Sequence, residues 1–226
     1  MAAVNVATGH AQAGYVLFDP RPWGTHAKLD ALVPSGSRVL DAGCSTGYLA
    51  EQLAQRQCEI VGLELDPAAA EVAEQFCERV LVGDVERMEL PFEPNEFDVV
   101  LGGDIIEHLR DPQAALARLR PFLRPGGRLV LSTPNIANWA IRLSLLAGRF
   151  DYTDRGLLDR THTHLFTRRS LLRCIEGAGY RLVSLDYSVP LPQPVRNEAS
   201  EALAHRVAGL RPTLFAYQWV LAAEPA

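Results

Sequence analysis

The sequence predicts an α/β fold built on a largely parallel sheet with helices on both faces. Three observations predict it. Short apolar runs recur along the 226 residues, several ending in an acid or a glycine. Helical patterns alternate with them, two opening on an Asp-Pro pair at Asp66-Pro67 and Asp111-Pro112, where aspartate suits the N-cap and proline the first helical position. One run, Arg38-Val39-Leu40-Asp41, passes through the small-residue turn Ala42-Gly43-Cys44-Ser45-Thr46-Gly47 straight into a helical pattern. Strand, glycine turn and helix at the carboxyl edge of a parallel sheet is how such folds bind nucleotide-like ligands.

Taken in order, residues 1–24 form an arm that Pro20, Pro22 and Gly24 keep out of regular structure. Its aromatics Tyr15, Phe18 and Trp23 either pack onto the domain or line a ligand site. Residues 25–33 read as a short helix with Thr25 as its cap. Strands follow at Arg38–Asp41, Cys58–Glu64, Val80–Asp84, Phe97–Gly103, Arg128–Thr133, Arg181–Tyr187 and Phe215–Ala222. Helices fall at residues 48–57, after Asp66-Pro67, at 114–123, 136–147, from Thr167 or Ser170 to Gly177, and near 198–209. Arg124-Pro125-Gly126-Gly127 reads as a turn. Residues 135–166 interrupt the alternation as a long structured insertion beside the binding edge, the usual place for a lid or substrate platform. The whole of 1–226 reads as one domain.

Composition narrows the function. Lys plus Arg number 22 and Asp plus Glu 27, a formal net charge of −5, which argues against general nucleic-acid binding. No apolar stretch is long enough to span a bilayer. Met1–Gly14 lacks the basic-then-apolar pattern of a secretion signal. Cys44, Cys58, Cys77 and Cys174 form no Cys-x-x-Cys pair, so reduced thiols in a cytoplasmic protein are expected.

Asp41, Glu64 and Asp84 each end one of the first three strands. In a parallel sheet these ends share an edge, so three acids and the glycine turn can line one cleft. Glu64, 17 residues beyond Gly47, is placed to take ribose hydroxyls, and Asp84 an adenine amino group. A dehydrogenase site is disfavoured, because the turn is Gly-x-x-x-Gly after Asp41 rather than Gly-x-Gly-x-x-Gly.

With these segments, Gly62-Leu63-Glu64-Leu65-Asp66, Gly83-Asp84-Val85, Phe97-Asp98-Val99-Val100 and Leu123 to Leu129, the chain resembles the class I S-adenosylmethionine-dependent methyltransferases from about residue 36 to 134, and more loosely to 222. The resemblance implies a Rossmann-like seven-stranded sheet, mostly parallel with an antiparallel last strand. It implies S-adenosylmethionine as cofactor, with Asp41, Gly43 and Gly47 framing the methionine moiety, Glu64 on the ribose, Leu65, Asp84 and Val85 around the adenine, and Gly103 behind the sulfonium. Ser45 stands where that family usually has glycine, placing a hydroxyl near the cofactor.

On the acceptor side, Asp104, Glu107 and His108 would share one face if Gly103–Leu109 were helical. With a histidine from Thr161-His162-Thr163-His164, His162 first and His164 as its near alternative, they make a candidate site for Mg²⁺ or Mn²⁺. This pattern resembles the ubiquinone-pathway O-methyltransferases and small-RNA 2′-O-methyltransferases, which imply a metal; here Asp104 replaces a Glu. Without metal, Glu107, His108 or His162 would serve structure or take the acceptor proton. Eight arginines between Arg142 and Arg181 outnumber four acids, which reads as a solvated face or as recognition of a phosphate or carboxylate. Gly148–Tyr152 through Asp159–His162 is similar to bacterial saccharide methyltransferases, and Phe150 and Tyr152 are placed to stack on a sugar.

The expected activity is methyl transfer to a hydroxyl of a saccharide or glycosylated metabolite. Rivals are a catechol-type quinone precursor, RNA, and cofactor binding without catalysis. The arm and the insertion are the candidate surfaces for a homodimer.

Overall fold

A computed structural model describes residues 18–191 and 194–226. The expectations for Tyr15 and for Met1–Gly14 lie outside these residues. Seven strands form one sheet in the order β3-β2-β1-β4-β5-β7-β6. They are β1 (Arg38–Ala42), β2 (Glu59–Glu64), β3 (Arg79–Val82), β4 (Phe97–Gly103), β5 (Leu123–Pro134), β6 (Tyr180–Ser188) and β7 (Gln218–Pro225). The first five are parallel, and β7 runs antiparallel between β5 and β6. Eight helices accompany them: α1 (Thr25–Leu32), α2 (Tyr48–Gln55), α3 (Pro67–Ala73), α4 (Pro112–Leu119), α5 (Trp139–Leu146), α6 (Arg168–Gly177), α7 (Glu198–Ala208) and α8 (Pro212–Phe215).

Alternation within the strands explains the layers. Val39, Ile60, Val99, Leu101 and Val130 face a core shared with α1 and α2. Leu40, Val61, Leu63, Val100 and Leu129 face a second core shared with α4 and α6. Neighbouring residues are thus buried on opposite faces, as a parallel sheet covered on both sides requires.

Local chemistry sets the ends. Asp66 and Asp111 cap α3 and α4 by accepting from the Ala68 and Ala114 N–H groups, each with proline at the start. Thr167 caps α6 in a reciprocal box with Ser170. Thr25 is not the cap of α1: Gly24 holds that position, and the Thr25 hydroxyl reaches Ser188 and Gln218 instead. The expected turn Arg124–Gly127 is an irregularity inside β5, where Phe97 pairs with Leu123 but Val99 with Arg128, and Gly126 takes a φ of +81°. The short helix α8 has no strong sequence signal beyond Pro212. Among the described residues no helix is long and apolar enough to cross a membrane.

Candidate active site

A cleft of about 730 Å³ opens at the carboxyl edge of β1–β4, within the range of small-ligand sites (roughly 300–1,000 Å³). Gly43, Ser45, Glu64, Leu65, Asp84, Val85 and Gly103 line it, as expected of them, together with Asp104 and His108. Gly43 has a φ of +83°, and a Cβ there would lie 2.6 Å from Ile105 Cδ1. Only glycine lets the turn after β1 and the turn after β4 meet at this distance. Ser45 is also left-handed, at φ +51°, a conformation that disfavours a side chain. Its N–H donates to Glu64 Oε2 at 2.7 Å, and Glu64 Oε1 accepts from the Leu65 and Asp66 N–H groups at 2.8 and 2.9 Å. Glu64 therefore holds the corner between β1 and β2 rigid and spends three of its roughly four acceptor positions doing so. Leu65 stands 68% exposed on the rim, an apolar surface awaiting a flat partner.

Two expected cofactor residues do not reach the cleft wall. Gly47 instead permits close packing, since a Cβ there would meet Ala73 Cα and the Phe76 ring at 3.0 Å. Asp41 is fully buried beneath the turn and neither carboxylate oxygen has a hydrogen-bond partner. Burial, then the charge of Glu64, pushes its carboxyl up to about 7.

Gly103–Leu109 is not a helix. Asp104 adopts φ +54°, which breaks helical geometry, and one tight turn follows, closed by His108 N–H donating to the Ile105 carbonyl. Asp104 consequently turns away from the expected metal set. Its Oδ1 accepts from Ser132 Oγ and its Oδ2 from Gln218 Nε2, both at 2.6 Å. The residues that do converge are Glu107, His108 and His162, whose ligand atoms all lie within 4.8 Å of one another. The two imidazoles meet edge to face at 4.9 Å. Glu107 is buried; Thr133 donates to its Oε2 at 3.0 Å and its Oε1 has no partner. Burial, with Asp104 nearby, holds its carboxyl well above the usual carboxylate range. His162 also has a buried, unpartnered Nδ1, and burial with His108 beside it lowers its pKa. His164 is excluded, because its Nε2 pairs with the Arg110 carbonyl.

The strap 161–164 is fixed to the turn by main-chain bonds. The Thr163 and His164 N–H groups donate to the Glu107 carbonyl at 2.8 and 2.9 Å, and Thr163 Oγ1 donates to the Leu109 carbonyl at 2.7 Å. Across the cleft, Glu86 accepts from the Arg110 and Asp111 N–H groups at 3.0 and 2.8 Å. The cofactor and acceptor sides are thereby joined at one rim. His26, Tyr48, Glu86, Ile105 and Thr161 also line the cleft and escaped sequence reasoning. Tyr48, directly after Gly47, carried the one readable signal; burial pushes its phenol up. The arginines of 142–181 do not gather there. None lines the cleft, whose sole arginine among the described residues is Arg110, and Arg160 pairs with Asp154 in solvent. Phe150 and Tyr152 pack on each other, exposed, away from the cleft.

Residues 15–185 match a protein family described as a methyltransferase domain. A ubiquinone biosynthesis O-methyltransferase of Acinetobacter baylyi is 30% identical over 156 residues, 66% of this chain and 65% of that protein. One from Xanthomonas axonopodis is 31% identical over 176 residues, 74% of this chain and 72% of that protein. The aligned part spans less than two thirds of the first relative's length and 72% of the second's. Among solved structures, an S-adenosylmethionine-dependent methyltransferase from Archaeoglobus fulgidus superposes with a TM-score of 0.62 at 18% identity, covering 88% of this chain and 91% of that one. The [4+2]-cyclase SpnF superposes with a TM-score of 0.60 at 18% identity, covering 89% and 80%, so the fold alone does not set the chemistry. Family match, sheet order and glycine-turn cleft agree: the chain belongs to the class I S-adenosylmethionine-dependent methyltransferases.

Proposed function

We propose that the protein transfers the methyl group of S-adenosylmethionine to a hydroxyl oxygen of a small acceptor carrying a neighbouring hydroxyl, a saccharide or glycosylated metabolite in the first place. The observation that carries the oxygen chemistry is the convergence of Glu107, His108 and His162, of which His108 reaches the cleft wall. The cleft fits the cofactor. Gly43 keeps a Cβ out of it, Leu65 offers an uncovered apolar face for the adenine, and Glu64 retains one acceptor position for a ribose hydroxyl rather than the two expected. A cationic methionine end above the turn would draw the buried Asp41 toward its ionised form.

A sulfonium methyl is already electrophilic, so the residues need only hold the acceptor oxygen in line and remove its proton. His108, exposed on the cleft wall, is the base. His162 stays neutral beside it and orients its ring. Glu107, kept protonated by burial and accepting from Thr133 at Oε2, carries its proton on Oε1. A divalent cation held by Glu107, His108 and His162 would take the place of that proton. With Asp104 outside the set, one carboxylate and two imidazoles favour Mn²⁺ or Zn²⁺ over Mg²⁺. Such a cation would lower the pKa of an acceptor hydroxyl.

The second reading, a catechol-type quinone precursor, is favoured by the names of the relatives from Acinetobacter and Xanthomonas. A labelled-methyl screen over glycosides, catechols and RNA, run with and without chelator, tests both. Label on a hydroxyl of a glycoside supports the first reading and on a catechol the second. Label on nitrogen, or none with cofactor bound, overturns both. Turnover indifferent to chelation leaves the histidines to proton transfer alone.

A further inference from the structure

A second cavity, of about 150 Å³, lies between the N-terminal arm, the end of β6 and the start of β7. It borders the cleft. His26 lines both spaces. Gln218, in the wall of the smaller cavity, donates through Nε2 to Asp104 in the wall of the larger, and accepts from Thr25 at Oε1. A molecule filling both would be held across the His26 and Asp104–Gln218 partition.

The chemistry of the walls selects its occupant. Among the described residues lining the cavity, Arg21 is the single guanidinium or ammonium. Its charge is consumed: Nε donates to Asp19 Oδ1 at 2.7 Å and Nη1 to Glu201 Oε1 at 2.6 Å. Glu201 is buried and Arg21 half-buried, so this bridge is screened less than a surface pair. Two carboxylates against one guanidinium disfavour an anion. His26 adds no charge, since its Nδ1 accepts from the Asp19 N–H at 3.0 Å and burial lowers its pKa. Both Asp19 oxygens are likewise taken by Arg21, so what remains is the Ser188 hydroxyl proton and the second N–H and second lone pair of Gln218, beside the indole of Trp23, whose ring also packs on His205 at 4.5 Å. Hydroxyl and amide groups pair with hydroxyls, and an indole covers the C–H face of a ring. The volume is below that of a whole-ligand site (roughly 300–1,000 Å³), so it suits one ring of a larger acceptor.

We infer that this cavity is an acceptor subsite for a single neutral, polyhydroxylated ring, a glycosyl unit attached to the group that is methylated in the cleft. The inference rests on the hydroxyl-acceptor reading of the cleft and supplies its substrate class. The arginines of the insertion, first read as recognising a phosphate or carboxylate, play no part in it.

The test uses the full chain with S-adenosylhomocysteine bound and a mixture of neutral methyl glycosides, read by saturation-transfer NMR. Glycoside signals are expected for the wild type and lost in Trp23→Ala, with S-adenosylhomocysteine affinity unchanged within about twofold. Ser188→Ala, which removes the one hydroxyl left free to donate, should weaken the signals without touching cofactor affinity. In turnover on a glycosylated acceptor, Trp23→Ala should raise KM roughly tenfold with kcat nearly constant. Absence of glycoside signals in the wild type, equal signals in both variants, or preferential binding of choline or a methyl glycoside phosphate would overturn the subsite. Methylation of a catechol with a KM indifferent to Trp23→Ala would also overturn it, while leaving hydroxyl transfer intact. Glycoside binding without methylation would preserve the subsite and refute the cleft's acceptor reading.

Discussion

The two sides of the cleft are built in different ways. The cofactor side is local. Gly43, Ser45 and Glu64 lie within two adjacent strand ends, and backbone N–H groups of Ser45, Leu65 and Asp66 converge on one carboxylate. The acceptor side is assembled from afar. The turn after β4, the strap 161–164, Thr133 on β5, Gln218 on β7 and His26 on α1 meet there only because the sheet order brings β4, β5 and β7 together. A binding edge made of neighbouring turns can stay constant while an opposite wall made of distant segments changes, which is how one fold accepts many substrates.

This contrast can be broken. The largest effect is expected at its narrowest point. Gly43→Val would force a branched side chain onto Ile105 at a left-handed backbone, and cofactor affinity measured by calorimetry should fall by well over tenfold. Retained affinity would mean that the turns after β1 and β4 move apart freely. Next, His108→Ala should lower kcat by about 10²–10⁴-fold while cofactor affinity stays near that of the wild type. If both constants fell together, the two sides would not be separable.

A pH experiment sharpens the buried end of the cofactor side. Asp41 titrates near 3.9 when unfolded but at about 7 in the fold, so the folded state binds more protons between those values. Its contribution to stability is present below about pH 4 and lost as pH rises through about 7. Cofactor-free protein should therefore lose more stability between pH 5 and 8 than Asp41→Asn does, as followed by thermal unfolding. A steeper loss in Asp41→Asn would contradict the burial argument. The smallest effect belongs to the hinge between strap and α6. Thr167→Ala removes the capping box and should cost about 1 kcal/mol in denaturant unfolding, with cofactor affinity unmoved.

The residues of the glycine-turn wall of the cleft are legible in the sequence because their signals are periodic and short-range. Apolar runs ending in Asp41, Glu64 and Asp84, and the glycines between them, report backbone geometry directly. Gly47 and Asp41 lie one layer below the cleft wall, a difference no sequence pattern records, since a glycine needed for helix packing and one needed for ligand approach look the same. On the acceptor side sequence reasoning named Glu107, His108 and His162 correctly as a group but for the wrong local reason. The left-handed Asp104 is invisible to a helical template. The second cavity had no sequence signal, as Arg21 and Glu201 are 180 residues apart.

The sequence by itself determined the strand–turn–helix succession, the opposed faces of the sheet, and through them the cofactor edge, because each depends on spacing within a few tens of residues. The tertiary structure alone decided that Asp104 leaves the histidines for Ser132 and Gln218, that Arg21 is paired with Asp19 and Glu201, and that a second cavity adjoins the first. Those outcomes are settled by burial and by partners from remote strands, and burial determines whether a charged or polar side chain acts on a ligand or on its own fold.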